Sequence, residues 1–181
     1  MAQGPTAPRL LTAEGFSRAA GARRQELVRG RVVDTRPGGG RHGDTVVRLA
    51  AALFPFVRAH ALGWVTTETG FVLGRAPDTV RGPDLAFVAR GRVPEPIPDG
   101  WLELAPDLAA EVVSPGDAST HVLEKVEDDL GAGVVEVWLL DPRRRRAEVH
   151  RRGAPTRHLG PDDALTSDLL PGWSLRLGEV V

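Results

Sequence analysis

The 181-residue chain has no cysteine, no tyrosine, a single methionine and a single lysine. Without cysteine there can be no disulfide, no thiolate nucleophile and no Cys-type zinc site. Long apolar runs are missing too. No stretch reaches the ~18 residues of a membrane span, and the opening residues hold no run of signal-peptide length. A cytoplasmic protein with no membrane partner is therefore expected. Nothing repeats at the roughly 20–50-residue period of solenoids and propellers. An excess of either charge is absent: Lys and Arg total 23 against 24 Asp and Glu, for a net charge of −1. Nucleic-acid-binding domains usually carry a strongly basic face, and the composition shows no such footprint. There is no Gly-x-Ser-x-Gly and no triad order, which removes a serine hydrolase.

What is present suffices for a core. With 41% hydrophobic and 26% charged residues, the chain reads as one globular domain over residues 1–181, with 1–10 as a loose tail. Thr12, Glu14 and Gly15 suggest a short capped helix to about Ala20. ELVRGRVVD, residues 26–34, reads as a hairpin turning at Arg29-Gly30, and RPGGG as a turn cluster. From Asp44 to about His60, Val46, Ala50, Leu53, Phe54, Val57 and Ala61 fall on one helix face. Pro55 is expected to bend or break its last turn. Strand-like runs follow: WVTTETG, FVLG, DLAFVA, DLAAEVVS, VVEVWLL and AEVHR. A helix from about Asp117 to Leu130, stopped by Gly131 and Gly133, interrupts them. Strands with helices before and among them predict an α/β fold with a mixed sheet. The stretch from Pro161 onward reads as a closing turn and strand.

Three fragments carry candidate chemistry. RGPDLAFVAR puts Asp84 at the head of an apolar strand. DLAAEVVSP puts Glu111 inside one, where a buried carboxylate is costly unless paired or bound to metal. The next helix carries Lys125, the one lysine among 22 arginines. Each has a plain reading: Glu111 on a solvent face, Asp84 and Asp107 as turn residues, Lys125 as drift under the codon bias of a GC-rich genome. Together they suit metal-dependent phosphodiester hydrolysis. Two carboxylates hold Mg²⁺ through oxygen, the ion polarises phosphate and activates water, and an ammonium stabilises developing charge. A lysine is a mobile point charge, which the planar arginine fork does not replace.

These fragments, with QELVRGRVV, PDTVRGPDLAFV, WLELAPDLAAEVVSP, VLEKVEDDLGAGVVEVWLLDP and LLPGWSL, resemble the Uma2 family. That family, formerly a domain of unknown function, belongs to the PD-(D/E)XK restriction-endonuclease-like superfamily. The resemblance implies a restriction-endonuclease-like core of mixed β-sheet flanked by helices, with an added N-terminal hairpin and C-terminal strands. It implies an endonuclease using Mg²⁺ or Mn²⁺ on nucleic acid, chiefly DNA, and a possible homodimer. Asp84 takes the place of the motif aspartate and Glu111 that of the glutamate, with the Val112 backbone carbonyl as a third metal ligand. The usual lysine position is Val113 here, and Lys125 stands as a lysine displaced onto the following helix. Glu26 matches a further acidic residue of the site. Departures are Gln25, where the family commonly has an aromatic residue, and Asp129, where it often has tyrosine.

Asp129 is placed to pair with Lys125 at i, i+4. His42 is a phosphate contact or a loop histidine, and His121 is expected in solvent. The run Arg143, Arg144, Arg145, Arg146 reads as a solvated turn or a contact to a phosphate backbone. Ser114-Pro115 reads as a turn. Two other functions stay open: a silent nuclease fold used for binding or assembly, and a small-molecule phosphodiesterase. Lys125 at the edge of its helix's apolar stripe predicts a cost below ~1 kcal/mol for Lys125→Ala.

Overall fold

A computed structural model of the chain describes residues 10–19, 25–115 and 119–181. Most of the predicted tail and the Asp117 helix start lie outside these residues. Among them the elements are α1 (Ala13–Ala19), β1 (Gln25–Val28), β2 (Arg31–Asp34), α2 (Gly40–Ala59), β3 (Gly63–Thr66), β4 (Phe71–Gly74), β5 (Thr79–Arg81) and β6 (Leu85–Ala89). There follow β7 (Leu108–Val112), α3 (Ser119–Ala132), β8 (Glu136–Asp141), β9 (Arg146–Arg151), β10 (Arg157–Leu159), β11 (Ala164–Leu165) and β12 (Leu175–Arg176).

The central sheet has the order β10-β9-β8-β7-β6-β3. Only β7 and β8 run parallel within it, joined through α3 as parallel neighbours require. Both read as near-continuous apolar runs because both faces are covered. On one face Leu49, Leu53 and Val57 of α2 pack with Phe87, Leu108, Trp138 and Leu140. On the other, Val126 of α3 packs with Ala109, Val137 and Leu139.

A second sheet, β2-β1-β5-β4, is entirely antiparallel. The predicted hairpin is its β1–β2 pair. Arg29 and Gly30 both take positive φ, 48° and 74°, the two-residue turn whose twist suits a hairpin. Gly30 is required twice over, since a Cβ there would lie 2.7 Å from that of Leu10. The strand β5 was not legible: three residues, Thr79-Val80-Arg81, give no period.

Helix α2 departs from the prediction in three ways. It starts at Gly40, inside the glycine-rich turn, because Gly39 serves as its N-cap without a side-chain bond. Its most buried row is Thr45, Leu49, Leu53 and Val57; Val46 and Ala50 only flank the core, and Phe54 lies out in solvent beneath Arg58. Pro55 does not end it. Pro55 and Ala51, whose carbonyl loses its helical donor, are both exposed, so water can take the bond. The neighbouring Ala52 carbonyl accepts from Trp173 Nε1 at 3.2 Å. The C-terminal stretch closes the core as expected, with Leu165, Leu170, Trp173 and Leu177 buried in it. No described helix is long and apolar enough to cross a membrane.

Candidate active site

The β6–β7 ladder pairs Leu85 with Ala110. Continued by one pair it sets Asp84 opposite Glu111, on one face of the sheet. Asp84 Oδ2 accepts the Val112 N–H at 2.7 Å, which fixes its carboxylate against β7. From the other side His42, in the first turn of α2, places Nε2 3.2 Å from Asp84 Oδ1 and Nδ1 2.9 Å from the Val112 carbonyl. Ser114 Oγ is 3.2 Å from the same Nδ1. His42 is thus no loop histidine. The hydrogen bond to Asp84 raises its imidazole above the ordinary value, against the effect of burial. Burial works to raise Asp84, yet His42 and the Val112 N–H hold it below the usual carboxylate range.

The Lys125 ammonium lies 2.8 Å from Glu111 Oε1 and 3.1 Å from Glu26 Oε1. Burial opposes that ammonium, but Glu111 and Glu26 outweigh it and hold its pKa above the ordinary value. Glu111 behaves differently. Burial pushes its carboxyl up to about 8; Lys125 opposes this, while Asp84 and Glu26 add to it. Glu26 also has Arg81, whereas Glu111 has only the shared ammonium among the described residues, and so is left short of positive charge.

Two residues unmarked in the sequence brace this centre. Arg81, buried at the end of β5, donates Nη1 to Glu26 at 2.9 Å and Nη2 to Asp128 at 2.6 Å. Asp128 also accepts from Arg29 at 2.7 Å. The signal for Asp128 was its i+3 spacing from Lys125 on one helix; Arg81 had none beyond its place three residues before Asp84. Asp129 does not pair with Lys125 as expected, because the ammonium turns to Glu26 and Glu111. It is buried instead, which pushes it up to about 7 against the pull of Lys125 and Arg81. Asp107 proves structural, accepting from Ala89 N–H and Arg92. His121 is exposed, as expected.

No three Asp, Glu or His side chains among the described residues stand grouped to hold a metal ion. Magnesium seldom needs that many: it is usually held through one or two carboxylates, waters and substrate phosphate. Asp84, Glu111 and the Val112 carbonyl are all hard oxygen donors. The upward-shifted Glu111 is where an added cation would gain most. The donor set fits a hard divalent ion.

A strand-linked pair of carboxylates, one of them met by a lysine from the next helix, on a mixed sheet flanked by helices, is the arrangement of a restriction-endonuclease-like protein. Residues 13–178 match the model of Uma2, described as "Putative restriction endonuclease", and the chain belongs to that family. Among solved structures it resembles "a putative nuclease belonging to DUF820 from Anabaena variabilis ATCC 29413", with a TM-score of 0.84 and 21% identity over 94% of this chain and 97% of that one. At that identity the likeness speaks for the fold alone. A comparison with curated proteins gives no match.

Proposed function

We propose that the protein is a nuclease that hydrolyses phosphodiester bonds of DNA with Mg²⁺ or Mn²⁺ held by Asp84, Glu111 and the Val112 carbonyl. The observation that carries this reading is Lys125 Nζ, drawn from a separate helix to within 2.8 Å of Glu111. An ion bound there would polarise the phosphate and lower the pKa of a bound water. The chain's own residues do the rest. Lys125 stabilises charge on the phosphate oxygens in the transition state. Glu26, itself fixed by Arg81, steadies the ammonium beside Glu111. His42, its imidazole proton favoured by Asp84, orients that carboxylate and keeps it ionised. The test is incubation of the pure protein with plasmid, single-stranded DNA and RNA in Mn²⁺, beside Lys125→Ala. Metal-dependent cleavage lost in the variant is the expected result; cleavage that survives it unchanged rejects the role of Lys125.

A second reading, a nuclease fold kept as a binding or assembly module, draws on the near-neutral charge and on how fully Lys125 is tied by its two carboxylates. Isothermal titration with Mn²⁺ separates the two. A working carboxylate pair binds the ion and a silent module does not.

A further inference from the structure

Beside the carboxylate centre a cavity of about 470 Å³ opens between α3 and the β8–β9 hairpin. Val113, Val122, Leu123 and Leu139 form the apolar part of its lining, its floor, and Arg143, Arg144 and Arg146 with Asp141 and Glu148 form the larger polar part, its rim. The sheet register makes it continuous with the site. Glu111 pairs with Leu139, and Leu139 with Glu148, so the three share one face of the sheet. Val113 lies two residues beyond Glu111 on that face, and Asp141 pairs with Arg146 across the same row. The cavity therefore begins one cross-strand row from Glu111, outside the carboxyl ends of the two parallel strands, where open α/β sheets take ligands.

The rim's charges are unequally committed. Asp141 is occupied by the Arg143 and Arg144 N–H groups at 3.1 and 2.9 Å and by the Arg144 guanidinium at 2.9 Å. Glu148 faces His150 and His158 at 3.2 and 3.6 Å. The Arg143 guanidinium has no carboxylate partner among the described residues. Arg41 of α2 reaches the same turn, at the Pro142 carbonyl. Leu123 is 48% exposed on the floor. The uncommitted Arg143 guanidinium, with the exposed Arg144 beside it on Asp141, above an apolar floor matches a nucleotide: phosphate for the arginines, a base face for the leucines and valines. A duplex keeps its base faces stacked inside and offers this floor nothing.

Resting on the nuclease reading above, we infer that this groove binds an unpaired nucleotide flanking the scissile phosphate, so that the substrate is single-stranded or frayed nucleic acid rather than continuous duplex. Arg143 and Arg144 hold the backbone, and Leu123 carries the base. This also accommodates the lack of a broad basic face, because a floor contact supplies affinity that charge does not.

The test is fluorescence anisotropy in EDTA, where metal-dependent cleavage is blocked. The probes are a short fluorescein-labelled single strand, the blunt duplex of the same sequence, and an abasic sugar-phosphate oligonucleotide of equal length. The single strand should bind about tenfold tighter than either of the others, the size of one stacked base. Leu123→Asp should erase that preference, while Arg143→Ala should weaken single strand and abasic chain alike. Equal or tighter binding of the duplex, or of the abasic chain, overturns the inference, as does a preference that survives Leu123→Asp. Cleavage is scored separately in Mn²⁺. A strand preference without cleavage supports the groove and removes the nuclease reading; cleavage without the preference does the reverse.

Discussion

Two regions concentrate charge, and they do so in opposite ways. Around Lys125, ionic groups from β1, β5, β7 and α3 are largely buried and interlocked: Glu26 with Lys125 and Arg81, Asp128 with Arg81 and with the exposed Arg29 of the β1–β2 turn, Glu111 with Lys125. At residues 143–146 four arginines crowd an exposed turn, and Asp141 is the one carboxylate among the described residues that pairs with them. In the first region each charge is another's counter-ion, so geometry is fixed and every group is costly to remove. In the second the charges are solvated and share one carboxylate, and the Arg143 guanidinium has no carboxylate partner among the described residues. A centre that must hold reacting atoms has the first character; a surface that follows a flexible chain has the second.

The largest break in this contrast should come from Arg81→Met. Arg81 is 6% exposed and donates to two carboxylates. Its loss leaves Glu26 only the ammonium it shares with Glu111, and Asp128 only the exposed Arg29. Removing one partner of a buried ion pair costs about 3–5 kcal/mol, and urea unfolding at pH 7 should show a loss of that order. A change below ~1 kcal/mol would mean that water already screens the cluster.

Next comes Lys125. The sequence placed it at a surface edge, with Lys125→Ala nearly free. Its side chain is 22% exposed, but it touches two carboxylates that are themselves buried. Lys125→Ala is therefore expected to cost about 1–3 kcal/mol, as for unpaired buried groups, and to lower cleavage by ~100-fold or more, as for a lost electrostatic stabiliser. Lys125→Arg splits the two effects. It keeps a counter-charge, so stability should change by less than ~1 kcal/mol while cleavage still falls at least ~10-fold. Full cleavage by Lys125→Arg would return the lone lysine to codon drift.

The difference in character also explains what could be read in advance. Asp84, Glu111 and Lys125 stood out because each breaks a local pattern: an acid at a strand head, a charge inside an apolar strand, one lysine among arginines. The strands β7 and β8 and the helix α3 were legible because long apolar strands and a periodic helix carry their own signal. Arg81, Asp128 and Ser114 were not, because what makes them matter is a partner 47 to 99 residues away and contacts at such separation leave no mark on local sequence. The position of Asp129 was misread for a related reason. Helical spacing offers Lys125 as a partner, but a buried carboxylate on another strand attracts the ammonium more strongly than one on its own helix.

The buried region should also respond to pH, the turn hardly at all. Glu111 has a folded pKa of about 8 against an ordinary 4.5. Between those values the folded protein keeps a proton that the unfolded chain has released, so stability falls as pH rises through the window. Glu111→Gln cannot ionise. It should match the wild type near pH 4 and become progressively more stable than it as pH rises toward 8.5, because only the wild type must give up its folded-state proton. Urea unfolding in EDTA across that range checks the sign. Mn²⁺ should then stabilise the wild type more at pH 8.5 than at pH 6, because binding requires the ionised carboxylate, and should do little for the variant.

The smallest effect on stability belongs to the arginine turn. Arg143→Ala removes a guanidinium with no carboxylate partner among the described residues. Arg144→Ala removes one donor to Asp141, but Asp141 keeps the N–H groups of residues 143 and 144, which survive any side-chain change. The turn is thus held by its backbone, and each substitution should move unfolding by no more than ~0.5 kcal/mol, as for surface positions. Their effect should appear instead in binding to a single strand. Each arginine that meets a phosphate releases a counter-ion, so each substitution should lower the slope of log K against log salt by about 1. Two variants as stable as the wild type but with successively shallower salt slopes would show that the turn's charges serve a ligand and not the fold. Unchanged slopes would leave the four arginines as a solvated turn.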